Sequence, residues 1–517
     1  MNGEVDRLLE KSNKVLGKTY KHFDVNPSKS SAKKFIANTV LKPNVIARYR
    51  FYPFIIYSQV TIKYHRTKGH LRAHVRDKVR PLSLVAHHDA LIYVKYADEL
   101  NSSYEEYLVE HNFSNVPTAY RKSRHTSNIN AAKEVFDFIV AQNDCWIIKG
   151  DFKGFFDNLR HRILKENLRR VMSVAHLTPD WLAVFKSVTR YNWVMSAELN
   201  KSLKKANLVD RKWPAYLKER KDFAKLIADG NLNVNGFNQI GIPQGTPISA
   251  ALANVYMIEF DEKLNKIALE KGGLYRRYSD DFVIVIPKKN LDEEDLNIFL
   301  KGVIDLSQLF TSLEIERHKT KIFSFGNSDG TNVILQEDKS KNFIPAWLDY
   351  LGFIFNGSEV KMRERGVYKF HYKSKKAINK FLRIRNDRNQ ILSRKVPTPD
   401  RKQRLVWQNG KQKRIELNQY DKRLAYKKRI EREEKRIKAN APNSKMVAKM
   451  YTVGKRYGER YSMIGYAKRA QTIFSNNKGR YKVSVLNQIN DQIKNNQFQI
   501  NRIRDKGAYA AHKRVNE

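Results

Sequence analysis

The chain has 517 residues, enough for a sizeable core and, at one to two hundred residues per domain, for about three modules, which excludes a short peptide or a lone binding module. Lys and Arg number 98 against 53 Asp and Glu, a net charge of +45, while 41% hydrophobic and 11% aromatic residues are ample for folding, so the chain reads as globular and strongly basic. No run approaches the ~18 apolar residues of a membrane span, and the opening MNGEVDRLLEKSNKVLGK carries charges where a secretory signal needs an apolar segment, so the expectation is a cytoplasmic protein without membrane contact.

In chain order, the first informative segment is Cys145-Trp-Ile-Ile-Lys-Gly-Asp-Phe-Lys-Gly-Phe-Phe-Asp157, in which an apolar strand runs directly into Asp151. Cys145 is the only cysteine, which excludes an internal disulfide framework and multi-cysteine zinc or iron–sulfur sites; within CWII it reads as a small core residue. A helical pattern, HRILKENLRRVM, follows. Next comes Gly241-Ile-Pro-Gln-Gly-Thr-Pro-Ile-Ser-Ala-Ala-Leu-Ala-Asn-Val-Tyr-Met257, where Thr246 suits an N-cap and Pro247 the first helical position, so a glycine-flanked loop leads into a helix with a small early face. Gly245 and Ala250 would let a nucleotide or base pair approach the backbone closely. The helical pattern continues through AALANVYMIEFDEKLNKIAL. Then Leu274–Ile286 reads as two strands meeting at Tyr278-Ser279-Asp280-Asp281, a hairpin with adjacent acids at its tip.

Residues 361–517 hold 44 Lys and Arg against 12 Asp and Glu, a net of +32 out of the total +45. In RKQRLVWQNGKQKR and YDKRLAYKKRIEREEKRIK these charges alternate with aromatic residues, which suits a surface that tracks phosphates and stacks bases. Salt bridges along a solvated helix explain KRIEREEKRIK equally well, but not the whole excess. Pro397 and Pro399 mark a loop, and the tail reads as helices with loops. With the β-rich runs between residues 145 and 286, the fold class is α+β.

Asp151, Asp280 and Asp281, brought together from strand ends, are the hard oxygen ligands that a pair of Mg²⁺ ions needs, with positions left for a triphosphate and an attacking hydroxyl. Either acidic segment alone is a routine solvated feature. The Pro-Gln-Gly segment between them is what an ordinary capped helix does not explain.

In order and spacing, FKGFFD after Asp151, IPQGTPISAALANVYM and YSDD resemble motifs A, B and C of prokaryotic-type reverse transcriptases. His318-Lys319-Thr320-Lys321 is similar to motif D, Leu348-Asp-Tyr-Leu-Gly-Phe353 to the primer-grip motif E, and Arg80-Pro-Leu-Ser and Ala119-Tyr-Arg-Lys122 to the fingers motifs, so the resemblance covers residues 75–356. It implies a right-hand polymerase: an N-terminal segment and fingers over 1–145, a palm with inserted fingers segment over 146–356, and a basic helical thumb and nucleic-acid-binding region over 357–517. It also implies metal binding by Asp151, Asp280 and Asp281, with two Mg²⁺ ions and Mn²⁺ as a substitute. Arg121 would contact the incoming triphosphate, Gln244 and Gly245 would line the nucleotide site, and Lys319 would protonate pyrophosphate. Phe156 would act as a steric gate against a ribose 2′-OH, although core packing explains it equally from sequence. Leu351, Gly352 and Phe353 would grip the primer.

There is no Asn-Ala-x-x-His or Val-Thr-Gly segment of the retron enzymes, no HNH-type cluster, and no appended acidic cluster of an RNase H. RPLSLVAHHDALIYVKYA, YRKSRHTSNINAAKEVFDFI and PISAALANVYM are most similar to the Abi-like and unknown-group defence-associated reverse transcriptases. That resemblance implies an RNA template, namely an associated noncoding RNA, a cDNA product, deoxynucleoside triphosphate substrates, an antiviral role, and a homo-oligomer or a second defence protein as partner. Two alternatives stay open at this point: untemplated or protein-primed DNA synthesis from one of the tail tyrosines (Tyr368, Tyr372, Tyr420, Tyr426, Tyr451, Tyr457, Tyr461, Tyr466, Tyr481 or Tyr509), and a non-catalytic RNA-binding scaffold.

Overall fold

The continuous apolar runs of the middle third have no alternation, the pattern of strands covered on both faces. In the computed structural model these runs form an antiparallel sheet. The structure describes residues 2–65, 74–124, 127–209, 212–236, 238–316, 319–328, 330–393, 403–408, 411–416, 428, 431–432, 450–452 and 462–515. Strand β1 (Cys145–Asp151) is followed by helices α1 (Ser249–Tyr256) and α2 (Ile258–Glu270), the hairpin strands β2 (Leu274–Tyr278) and β3 (Asp281–Pro287), and β4 (Lys321–Ser328). β1 lies between β3 and β4, antiparallel to both, in a register that runs from Cys145 opposite Pro287 to Asp151 opposite Asp281. Ile147, Ile148 and Val283–Ile286 are fully buried, and so is Cys145, as the apolar run around it indicates. Gly150 permits this packing: a Cβ there would stand 2.2 Å from the Phe282 ring, so no larger residue fits without moving the strand. Helix α2 buries Phe260, Leu264 and Ala268, one stripe at four-residue spacing, in the same core.

Two compact units divide the chain. The first comprises residues 1–127, 141–326 and 335–344; the second comprises 128–140, 327–334 and 345–517. These units cut across the expected segments 1–145, 146–356 and 357–517. The reason is packing: the long helix His87–Glu110 buries Leu91, Tyr96, Leu100 and Leu108 in the same core as the sheet, so the N-terminal residues close with the middle of the chain. A long hairpin, Phe54–His65 with His74–Leu84, also belongs to this unit, and the sequence reading did not anticipate it.

In the second unit, β5 (Leu348–Tyr350), β6 (Phe353–Phe355) and β7 (Glu359–Met362) form an antiparallel meander, which Lys482–Val483 extends in parallel. Alternation is strict here. Leu348, Tyr350, Phe353, Phe355, Val360 and Met362 are buried on one face, where Phe136 stacks on Phe355 and Phe474 meets Phe353 edge-on. Helix α3 (Glu364–Ser393) follows.

The tail departs from an all-helical reading. Gln403–Gln408 and Lys411–Glu416, within RKQRLVWQNGKQKR, pair as antiparallel strands. Pro397, Pro399, most of YDKRLAYKKRIEREEKRIK, His318, Tyr420, Tyr426, Tyr457 and Tyr461 lie outside the described residues. Among the described residues no helix is long and apolar enough to cross a membrane.

Candidate active site

The antiparallel register places Asp151, the last residue of β1, directly opposite Asp281, the first of β3. Asp280 sits beside them in the turn that closes β2 onto β3, where Tyr278 pairs with Asp281, and its carbonyl accepts a hydrogen bond from the Phe152 N–H at 3.2 Å. Ser279, the other turn residue, has a φ of +61°, a left-handed value that costs most residues energy. Burial, reinforced by the neighbouring Asp151 carboxylate, raises the Asp280 carboxyl from 3.8 to about 6. The hairpin thus holds carboxylates close together without neutralising them.

Lys319 approaches from beyond the sheet: its ammonium donates to Asp151 Oδ2 at 3.0 Å and to Glu316. The bond to Glu316 raises its pKa most; burial opposes the rise, and the bond to Asp151 adds to it. A lysine so held is a weaker acid than a free one, and in this arrangement it neutralises Asp151 rather than standing ready to release a proton. Its neighbour Glu316 was not singled out in the sequence, because a lone glutamate two residues before His318 carries no signal of its own.

Among the described residues no group of three or more His, Cys, Asp or Glu side chains is arranged so that it could hold a metal ion. Mg²⁺ does not require one, since it retains waters and is commonly held by one or two carboxylates together with substrate phosphates. Asp151 and Asp280, hard oxygen donors whose mutual repulsion a cation would relieve, fit that mode.

The glycine-flanked loop behaves differently from its sequence reading. The Ser83 N–H donates to the Gln244 carbonyl at 2.9 Å, and a Cβ at Gly245, where φ is +117°, would meet the Ser83 carbonyl oxygen at 2.9 Å. The close approach that Gly245 permits is therefore made by the protein's own backbone. The Gln244 side chain reaches Asp157 Oδ1 at 3.4 Å, and burial raises the Asp157 carboxyl. Thr246 differs from its expected N-cap place: α1 begins only at Ser249, with Ile248 at its N-cap and Pro247 before the helix, and the Thr246 Oγ1 accepts from the Ser249 N–H at 3.1 Å within the preceding turn. Phe156 is half-buried, stands edge-on to Phe155, and its carbonyl accepts from the Ile242 N–H at 2.9 Å.

Arg121 departs most from the reading as a triphosphate contact. It is 6% exposed. Its Nε donates to Glu105 Oε1 at 2.8 Å, Nη1 to the Pro117 carbonyl at 2.9 Å and also to the Ser114 carbonyl, and Nη2 to Glu105 Oε2. A guanidinium committed to those acceptors ties a loop to the long helix instead of facing a ligand.

Leu351, Gly352 and Phe353 belong to the second unit, where Leu351 (φ +47°) and Gly352 (φ +93°) form the turn between β5 and β6. Asn128 Nδ2 donates to the Leu351 carbonyl at 2.9 Å, while Phe353 is buried and stacks on Tyr466.

The hairpin also carries a group that the sequence reading passed over. Arg277 in β2 and Asp261 in α2 are both 0% exposed and form a forked ion pair, with Nε to Oδ1 at 2.8 Å and Nη2 to Oδ2 at 2.6 Å. Burial opposes the Arg277 charge, but Asp261 outweighs it and holds the guanidinium above its ordinary value. A charged residue inside an apolar strand run was the available signal, since a buried charge demands a partner.

Comparison with known proteins agrees with the motif order. Residues 68–355, more than half of the chain, match the family described as reverse transcriptase (RNA-dependent DNA polymerase). Protein YkfC of Escherichia coli (strain K12) is 22% identical over 278 residues, which cover 47% of this chain and 60% of that protein, so the match spans less than two thirds of the curated relative. Among solved structures, the apo telomerase of Candida tropicalis truncated from the C-terminal domain is 13% identical at a TM-score of 0.35, covering 59% of this chain and 55% of that one. The telomerase of Candida albicans in complex with a TWJ fragment of telomeric RNA is 15% identical at a TM-score of 0.31, covering 65% and 49%. With the family match spanning both acidic segments and the loop between them, the chain belongs to the reverse transcriptase family and has its α+β, right-hand polymerase fold.

Proposed function

We propose that this protein is an RNA-directed DNA polymerase that adds deoxynucleotides to a primer with the help of two Mg²⁺ ions, Mn²⁺ serving as a substitute. The observation that carries the reading is the crowding of Asp151, Asp280 and Asp281 at adjoining strand ends, with Asp280 pushed up to about 6 by burial and by its neighbour. Asp151 and Asp280, with Asp281 alongside, would hold the ions. Bound there, the ions would activate the primer hydroxyl and neutralise charge on the phosphates.

In the reaction, the primer 3′-oxygen forms a bond to the α-phosphorus, the bond from that phosphorus to the β-phosphate bridging oxygen breaks, and pyrophosphate leaves with the electron pair. The protein contributes positioning and charge. Lys319 brings a positive charge to the edge of the carboxylate cluster and becomes a proton source for pyrophosphate once its carboxylate partners are drawn away. Gln244 and Asp157 would line the nucleotide site beside Phe156, whose ring would collide with a ribose 2′-OH. Leu351, Gly352 and Phe353 would steady the primer. Helix α3 supports nucleic acid as the partner: Tyr368 is 73% exposed and Tyr372 is exposed too, among Arg365, Lys369, Lys373 and Lys376. The family resemblance extends the reading to an associated noncoding RNA as template, cDNA as product, cytoplasmic antiviral defence, and a homo-oligomer or a second defence protein as partner.

The test is incorporation of labelled deoxynucleotides by the purified full-length chain on a primed RNA template in Mg²⁺, with template-free and chelator controls. A DNase-sensitive product that requires template and metal is expected. RNA binding without incorporation would instead identify a scaffold. Label that stays on the protein after denaturation and is released by protease would identify tyrosine-primed synthesis, which the exposed Tyr368 favours as the second reading. Phe156→Ala should reduce discrimination against ribonucleotides by at least about tenfold, measured as a ratio of kcat/KM values. Unchanged discrimination in a folded variant would make Phe156 a core residue only.

A further inference from the structure

The turn that carries Asp280 needs external support. Ser279 adopts a left-handed φ of +61° in a tight hairpin turn, where glycine is favoured and a side chain is strained. Two side chains from outside the hairpin's tip grip this residue. From inside the fold, Arg277 Nη1 donates to the Ser279 carbonyl at 3.0 Å while the rest of the guanidinium is locked on Asp261. From outside, the Tyr120 hydroxyl donates to Ser279 Oγ at 3.1 Å.

The grip reaches further elements of the first unit. Arg277 Nη1 also lies 3.4 Å from Asn254 Oδ1 in α1, and Asn254 Nδ2 donates to the Ala119 carbonyl at 3.0 Å, next to Tyr120. The Arg277 backbone joins the same segment: its N–H donates to the Val116 carbonyl at 2.9 Å, and its carbonyl accepts from the Thr118 N–H at 2.8 Å and the Thr118 hydroxyl at 3.0 Å. The segment 116–120, the helix after the glycine-flanked loop and the acidic hairpin are thereby tied at one residue.

We propose that Arg277, anchored by Asp261, and Tyr120 are positioning residues that clamp the Ser279 turn and so fix the Asp280 carboxylate where it would hold a metal ion. Neither touches substrate; both act through Ser279. The inference rests on the polymerase reading above. A turn released on either side would let Asp280 shift, and a displacement near 1 Å at a catalytic group lowers turnover by about 100-fold.

Steady-state kinetics on the full-length chain test this. Arg277→Lys keeps a charge for Asp261 but cannot bridge it and the Ser279 carbonyl together, so kcat should fall about 100-fold with the deoxynucleotide KM little changed. Tyr120→Phe removes one hydrogen bond at a half-exposed site and should not disturb folding; its kcat should fall about fivefold, again without a change in KM. Ser279→Ala should match Tyr120→Phe, and the double variant should be no worse than either single one, because both remove the same bond. Wild-type kcat in folded Tyr120→Phe, additive losses in the double variant, or losses of kcat that follow only a lowered melting temperature would overturn the clamp. If wild type incorporates nucleotide and Asp280→Asn does not, the polymerase reading stands whichever way the clamp is decided. If wild type itself is inactive on every template, that reading fails and the clamp fails with it.

Discussion

The acidic hairpin and the elements packed against it contain two opposite solutions to placing charge in a fold. At its tip, Asp151, Asp280 and Asp281 crowd together, and the Asp280 carboxyl rises to about 6 because burial and a neighbouring carboxylate both penalise its charge. A few residues back, Arg277 and Asp261 are more deeply buried, yet each charge is met by its opposite and by further hydrogen bonds. The tip keeps like-charge repulsion at Asp280 although Lys319 pairs with Asp151, and a cation would relieve it; the base is satisfied by opposite charge. The contrast shows that depth of burial does not distinguish a reactive charge from a structural one. What distinguishes them is whether the nearest charges are of like or of opposite sign.

The largest expected effect separates these two regions directly. Asp280→Asn or Asp151→Asn should lower nucleotide incorporation at least about 1000-fold with the melting temperature maintained, since each removes a cation-binding charge without leaving a buried counter-charge unpaired. Incorporation near wild-type level by either folded variant would end the metal-ligand assignment.

At the base, Asp261→Asn should do the reverse of Asp280→Asn and strike stability. It strands the buried Arg277 charge, at a cost of about 3–5 kcal/mol in a urea or thermal unfolding measurement. An apolar pair, Asp261→Leu with Arg277→Met, should recover most of that stability but not the turnover, because the donor to the Ser279 carbonyl stays missing. A base that tolerates Asp261→Asn without loss would mean that the pair is not buried in solution.

A pH series sharpens the contrast further. The folded Asp280 carboxyl titrates near 6, above its ordinary 3.8, so the folded protein binds this proton more tightly than the unfolded chain does. The resulting stabilisation is complete below pH 3.8 and is lost as pH rises through about 6. With divalent cations chelated, Asp280→Asn should therefore be more stable than wild type by up to about 2 kcal/mol above pH 6, and the gain should vanish towards pH 4. A gain that is independent of pH would place its origin elsewhere. The smallest effect belongs to Tyr104, whose buried hydroxyl has no hydrogen-bond partner among the described residues although its charge environment includes Arg277 and Asp261. Tyr104→Phe should change unfolding stability by less than about 1 kcal/mol and in the favourable direction. A clear loss would reveal a partner for that hydroxyl and enlarge the network at the base.

Local patterns made much of the candidate site legible in the sequence. The apolar strand ending at Asp151 and the hairpin tip at Asp280-Asp281 each depend on residues next to one another, and each has the anticipated local form, whereas the helix expected to start from Thr246 starts two residues later than its sequence signals indicate. The α+β class followed from the same short-range periodicities. Expectations that depended on a distant surface were those that changed. Gly245 makes room for Ser83, more than 150 residues away, and Arg121 turns inward because Glu105 on the long helix offers a fork of acceptors. The units regroup residues 1–127 with 141–326 because helix packing follows buried apolar stripes and takes no account of order in the chain.

The sequence by itself therefore determined which residue types meet at a strand end or a turn, together with the basic excess of the chain. The tertiary structure decided which polar groups were already taken. It assigned Lys319 to Asp151 and Glu316, Arg277 to Asp261, and Tyr120 to Ser279. The physical reason is that a buried charge or hydroxyl is governed by whichever partner the fold brings within about 3 Å, and that proximity is set by long-range packing rather than by chain neighbours.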